Sequence, residues 1–263
     1  MNDFSYPSSQ ELIAHIATLA CDFDYLVIHS SFRDLRFLGG TPRDFLKLTT
    51  QVSNYGGVSL TPCFNLDAQK PIQFITDSTP PSSNLGALPM HQFKKMKSNK
   101  AIFRIRHPIH SYLVEGETPD KDYLKNTIWR CSFGNSSFFE YLDSRKVLWL
   151  NLGCKGGVGA YSLIHHAENL LSVPYRKNLL IDSYIDGVFS HFPYYAKFID
   201  ANFDRSPLVH SSEYDKSCIL RLSGSNGSSV CLHKYNDLME ICLKAISNDP
   251  YCFYPEARSA LND

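Results

Sequence analysis

Residues 9–31 read SQELIAHIATLACDFDYLVIHSS, and this stretch sets the expected fold. In its first half Leu12, Ile13, Ile16 and Leu19 recur at helical spacing behind Ser9, a residue type that caps helix N-termini, which predicts an amphipathic helix over 9–20. Its second half, YLVIHSS (25–31), is a short apolar run ending in hydroxyls, which predicts a buried strand. A helix from about Thr41 to Tyr55 and a turn and strand over GGVSLTPCF (56–64) continue the alternation. Helix, strand, helix, strand is the order of an α/β protein whose central sheet is covered on both faces.

Composition narrows the function classes. The 263 residues hold 26 Lys plus Arg against 26 Asp plus Glu, so net charge gives no reason to expect nucleic acid or an anionic membrane as a partner. The first residues show no basic segment followed by an apolar one, and no run approaches a membrane span, so a cytoplasmic protein is expected. The eight cysteines are scattered without a CxxC pair, which predicts free thiols. With no repeat or linker in evidence, residues 1–263 are expected to form one domain.

Downstream, residues 65–89 are rich in Pro, Ser and Asn and predict a long surface loop, followed by a basic helix around HQFKKMKSNK (91–100). VLWLNLGCKGGVG (147–159) reads as a strand entering a glycine-rich turn that matches neither GxGxxG nor GxxxxGK[ST], which argues against a nucleotide P-loop. An aromatic-rich segment (181–203) and a last helix over about Lys234–Ser247 complete the chain.

Candidate chemistry concentrates in YSLIHHAENLL (161–171). His165 and Glu168 are three apart and share a helical face, whereas His166 is turned about 100° away. Near a helix start the macrodipole disfavours imidazolium, so His165 is expected to be a neutral base oriented by Glu168. A capping histidine beside a solvated glutamate is the competing reading. RIRHPIHS (104–111) gathers two arginines and two histidines and suits a phosphate-bearing ligand, although an exposed basic strand end would look the same. IHSS (28–31), with Arg33 just beyond, ends the first strand where ligands collect in α/β folds. His107, His110, His165, His166 and Glu168 could supply metal ligands, but the spacing matches no zinc motif, and no metal is expected. Cys154 at a strand end could be an acyl-accepting nucleophile, but nothing sets it above the other cysteines.

Taken in order, LVIHSSFRDL (26–35), TPPSSNLGALPMHQF (79–93), RIRHPIHS (104–111) and VLWLNLG…SLIHHAENLLSVPYR (147–176) resemble the motifs of the aminoglycoside 3-N-acetyltransferase family. The resemblance implies a mixed central sheet between helical layers, distinct from the GNAT fold, and acetyl-CoA as co-substrate. It implies His165 as the general base and Glu168 as its acidic partner. It further implies His29, Ser30, Ser31 and Arg33, the loop around Ser83, and the element with Arg106, His107 and Ser111 as the cradle for CoA. A backbone amide or hydroxyl near Ser30 and Ser31 would serve the oxyanion.

The aromatic segment YIDGVFSHFPYYAKFIDANF (184–203) and the absence of an acidic excess favour a nucleotide-linked amino sugar as acceptor, with Phe189, Tyr194 and Tyr195 stacking on its base. The product would serve surface polysaccharide. An aminoglycoside acceptor, a non-enzymatic CoA or nucleotide-sugar binder and a homodimer remain open, and His166 is expected to tolerate substitution.

Overall fold

The computed structural model describes residues 8–38, 41, 43–66, 70–155, 161–224 and 227–261. In chain order the elements are α1 (Ser9–Ala20), β1 (Tyr25–Ser30), α2 (Leu48–Asn54), β2 (Ser59–Pro62), β3 (Ile72–Phe74), α3 (Ala87–Met96), β4 (Ile102–Arg104), β5 (Tyr112–Glu115), α4 (Lys121–Asn126), α5 (Phe138–Asp143) and β6 (Val147–Lys155). They continue with α6 (Tyr161–Leu170), β7 (Arg176–Ile185), β8 (Val188–Lys197), α7 (Ser206–Val209), α8 (Ser212–Ser217), β9 (Cys218–Ser223), β10 (Ser228–Lys234), α9 (Tyr235–Asn248) and α10 (Glu256–Ala260).

The main sheet has seven strands in the order β4-β5-β2-β1-β6-β10-β9. β1 runs parallel to both β2 and β6, and the remaining pairs are antiparallel, so the sheet is mixed. Its central strands are apolar on both faces, as burial between two layers requires. Tyr25, Val27, Val147 and Trp149 enter one core with α6 and α9, whereas Leu26, Ile28, Leu148 and Leu150 enter the other with α1 and α2. The expected α/β sandwich is thus the observed one. No helix among the described residues is long and apolar enough to cross a membrane.

Local readings shift in three places. Ser8, not Ser9, caps α1, its side chain accepting from Glu11 N–H. The predicted helix over 41–55 is split into a 3-10 turn (Asp44–Lys47) and α2. The predicted loop over 65–89 contains β3, which pairs with β7, so it becomes part of a second sheet, β3-β7-β8. That partner lies about a hundred residues downstream, out of reach of any local pattern.

The β7–β8 hairpin turns at Asp186–Gly187, both with positive φ (50° and 82°), as a two-residue hairpin loop demands. Asp186 also ties the hairpin down. Its carboxylate accepts from Thr76 N–H and Oγ1–H, both at 2.7 Å, and from Arg106 Nη2 at 2.9 Å.

Candidate active site

α6 carries its chemistry on one face. His165 Nδ1 lies 2.7 Å from Glu168 Oε2, the i,i+3 contact expected from helical geometry. Glu168 is fully buried, and its second oxygen accepts from Tyr175 Oη at 2.8 Å. Arg176, at the head of β7, brings Nε to 2.8 Å from Glu168 Oε2, an ion pair whose N–H is not aimed at the oxygen. Its Nη2 donates to Tyr254 Oη at 2.8 Å and stands 3.4 Å from His165 Nε2.

These contacts set the protonation states. His165 titrates below its ordinary range, chiefly because burial penalises imidazolium; Glu168 opposes the shift and Arg176 adds to it. The helix dipole invoked from sequence is therefore not the leading cause, since His165 is already in the second turn of α6. Burial pushes Glu168 upward, but His165, Arg176 and Tyr175 outweigh it and hold the carboxyl below its usual range. An ionised Glu168 accepts the Nδ1–H, so the neutral ring presents the Nε2 lone pair, which is the form a general base needs.

His110 lies close enough to this ring for the two to act on each other's charge. Burial pulls it down to about 3, with His165 and Arg176 adding to the shift, so it too is neutral. Phe133 packs against both, its ring centroid 4.7 Å from His110 and 5.6 Å from His165. Tyr194 stacks nearly parallel to His110 at 6.3 Å, and Phe64 meets it edge-on at 5.0 Å. An aromatic wall with a partly exposed imidazole suits deprotonation of an amine away from bulk water.

The family model for aminoglycoside 3-N-acetyltransferase matches residues 27–185, more than half of the chain and the whole of this site apart from Tyr194, Tyr195 and Tyr254. The chain belongs to that family. It is therefore an acetyl-CoA-dependent N-acetyltransferase, with the fold of its class and not that of GNAT enzymes. Among solved structures it is similar to aminoglycoside acetyltransferase AAC(3)-IVa in complex with apramycin (20% identity over 97% of this chain and 98% of that one, TM-score 0.66). It is also similar to YokD from Bacillus subtilis (15% identity, 92% and 100% covered, TM-score 0.64) and to AAC-IIIb with CoASH (13% identity, 92% and 97% covered, TM-score 0.65). No curated protein sequence matches significantly.

In this acetyltransferase the residues expected to cradle CoA fall into two groups. Ser30 and the 3-10 turn Ser83–Leu85 come together at the C-terminal end of β1, where a Cβ on Gly86 would lie 3.8 Å from Ser30 O. His29 stacks on Trp149 with centroids 4.9 Å apart, and its sealed Nε2 has no partner. The Arg33 side chain and the glycine-rich turn over 156–160 lie outside the described residues.

The second group is corrected by the structure. His107 is fully buried, its Nδ1 accepting from the backbone of Ile109 (3.0 Å) and His110 (2.7 Å), so it shapes a turn and cannot meet a phosphate. Ser111 is equally sealed, donating to Cys63 O at 2.6 Å and accepting from Arg104 Nε at 2.8 Å. Arg104, not Arg106, is the element's structural cation, with Nη2 on Cys63 O at 2.7 Å and its guanidinium 4.5 Å over Phe74. Arg106 is partly exposed but already paired with Asp186. Ser31 N–H is spent on Leu152 O at 2.8 Å, which removes that amide from the oxyanion role.

The aromatic platform is also corrected. By the hairpin register Tyr194 and Tyr195 project from opposite faces, and Phe189, six residues from Tyr195, sits about 20 Å away near the exposed tip. The three cannot stack on one base. Tyr195 is buried beneath the Arg176 guanidinium, 5.6 Å from its ring centre, while Tyr194 borders His110.

His166 was expected to be dispensable, yet it is fully buried. Its Nδ1 accepts from Gly134 N–H at 2.9 Å, so Nε2 carries the proton toward Asp143 Oδ2 at 3.0 Å. Gly134 is obligatory there, because a Cβ would come within 1.9 Å of Asn169 Oδ1 at a φ of +75°. Tyr175 and Arg176 carried no role in the sequence reading, and His110 entered it only as a possible metal ligand and as part of the basic RIRHPIHS element. The one available signal was that the stretch aligned with the family ends in PYR, just after the helix.

Proposed function

We propose that this enzyme transfers the acetyl group to the amine of an amino sugar that is not polycationic, and that a nucleotide-linked deoxyamino sugar for surface polysaccharide is its acceptor. The observation carrying this is Arg176. The charged groups that act on His165 are Glu168 and Arg176, one of each sign, so the base has no surplus of negative charge beside it. A polycationic antibiotic gains from a surplus of carboxylates around its amines, which this balance does not offer, whereas an anionic diphosphate is not opposed.

Bound acetyl-CoA supplies the acetyl group as a thioester with a thiolate leaving group. His165 Nε2 takes the proton of the acceptor amine as nitrogen attacks the carbonyl, and Glu168 holds the Nδ1–H and stabilises the imidazolium that forms. The same proton is then delivered to the departing sulfur. Arg176 keeps Glu168 ionised. In this reading Ser30, Ser83 and Gly86 would hold the cofactor arm at the C-terminal end of β1, and the whole chain acts as one domain.

A thiol-release assay with acetyl-CoA, run against nucleotide amino sugars, the free sugars and a panel of aminoglycosides, tests this reading. The expected result is turnover highest with nucleotide-linked acceptors. Efficient acetylation of aminoglycosides together with no turnover of nucleotide sugars would make the antibiotic the substrate.

A further inference from the structure

Outside this site two thiols and an imidazole converge at the edge of the main sheet. Cys218, at the head of β9, is opposite His233 on β10 in the antiparallel ladder. Cys231 precedes His233 by two residues and so projects from the same face. The register slips between Leu232 and His233, and the three ligand atoms lie within 4.8 Å of one another. Among the described residues this is the one such group of three.

Burial supplies the second observation. His233 is fully buried, and its Nε2 has no hydrogen-bond partner outside the two cysteines. Its Nδ1 lies 3.0 Å from Ser217 Oγ, whose own hydrogen is directed to Tyr214 O at 2.9 Å. Ser217 therefore accepts the Nδ1–H, which fixes the tautomer and leaves the Nε2 lone pair bare. An unsatisfied buried imidazole nitrogen is costly in a closed core but is how a metal-ligating histidine is held by its outer partner.

We propose that Cys218, Cys231 and His233 form a zinc site that clips the edge strand β9 to β10, contrary to the metal-free protein expected from sequence. Two sulfurs and one imidazole nitrogen are the donor set of a borderline-soft cation, not of magnesium or calcium. In tetrahedral zinc, bonds of about 2.3 Å to sulfur and 2.0 Å to nitrogen put ligand atoms about 3.5–3.8 Å apart. From separations of up to 4.8 Å the cluster has to contract by no more than about 1.3 Å to reach that geometry. Cys218 is only partly buried, so the ion and a water as fourth ligand reach the site from its side. Both thiols release their protons to solvent on binding. β9 is otherwise an open sheet edge, which such a clip secures. The site shares no residue with the His165 centre and does not depend on the acceptor.

The test uses the whole protein, purified reduced and without chelator. Metal analysis should find about one zinc per chain, and cobalt substitution should give the sulfur-to-cobalt charge-transfer absorption of thiolate ligation. Cys231→Ser and His233→Gln should lose the stoichiometric metal, with the exposed Cys21→Ser as a control that keeps it. Because either site variant could fail to fold, the unsubstituted protein is also stripped and refilled, and zinc should restore a raised melting temperature. Folded, reduced protein that takes up no stoichiometric zinc overturns the proposal. So does a charge-transfer band that survives in Cys231→Ser, or a Cys218–Cys231 disulfide found in the native protein in place of metal.

Discussion

Arg176 Nη2 stands 3.4 Å from His165 Nε2, the nitrogen that must accept a proton, while the same guanidinium neutralises the carboxylate that orients the ring. Burial, with the guanidinium adding to it, holds the base neutral, while Glu168 makes it more basic. Its working pH is a balance among residues on α6 and β7.

The acidic limb of kcat/KM should fall at an apparent pKa below 6.5, because burial and Arg176 together outweigh Glu168 in lowering His165. A pH–rate profile with its acidic limb above that value would contradict a buried His165 as the base. Stability follows the same signs. His165 binds fewer protons folded than unfolded, so stability falls as pH drops from about 6.5 toward its lowered value. Glu168 contributes stability that is present above its unfolded value of about 4.5 and is lost as pH falls through its depressed folded value.

Replacing His165 by Ala should lower kcat by about 10²–10⁴-fold, the range for losing a general base, with little change in the Michaelis constant for acetyl-CoA. Glu168→Gln should cost less and should move the acidic limb further down, since the lost carboxylate is what raises His165. Steady-state kinetics on both variants across pH separate the two roles. An acidic limb that moved upward in Glu168→Gln would contradict the assignment.

Arg176→Ala should do the opposite to the limb, shifting it to higher pH as the guanidinium is removed from beside Nε2. It should also destabilise the fold by about 3–5 kcal/mol, because Glu168 is left charged and buried without its cation. Denaturant titration and the pH profile read the two effects independently.

His166→Ala should destabilise by about 2–5 kcal/mol through a cavity and the orphaned Gly134 N–H, whereas His165→Ala, at the edge of the wall, should cost far less. Urea unfolding of the two variants compares adjacent residues with opposite roles. Equal losses would mean that the two faces of α6 are not distinguished as described.

The sequence by itself determined what depends on local spacing. The periodicity of residues 9–20 fixed α1, the apolar runs at 25–30 and 147–152 fixed the two central parallel strands, and the three-residue interval fixed the His165–Glu168 contact, since helix geometry alone brings i and i+3 together. Tertiary structure decided what depends on register and on contacts between distant segments. Strand pairing across about a hundred residues made β3 part of a second sheet, and the folding of β7 and β8 into a hairpin is what put Tyr194 beside His110 and Tyr195 beneath Arg176. Only packing showed that His107 Nδ1 and Ser111 Oγ are spent internally, that Arg176 and His110 complete the His165 centre, and that Cys218 comes to lie against Cys231 and His233. The difference is physical: a helix fixes its neighbours through its own backbone, whereas a side chain's partner across a sheet is chosen by where the rest of the chain folds back.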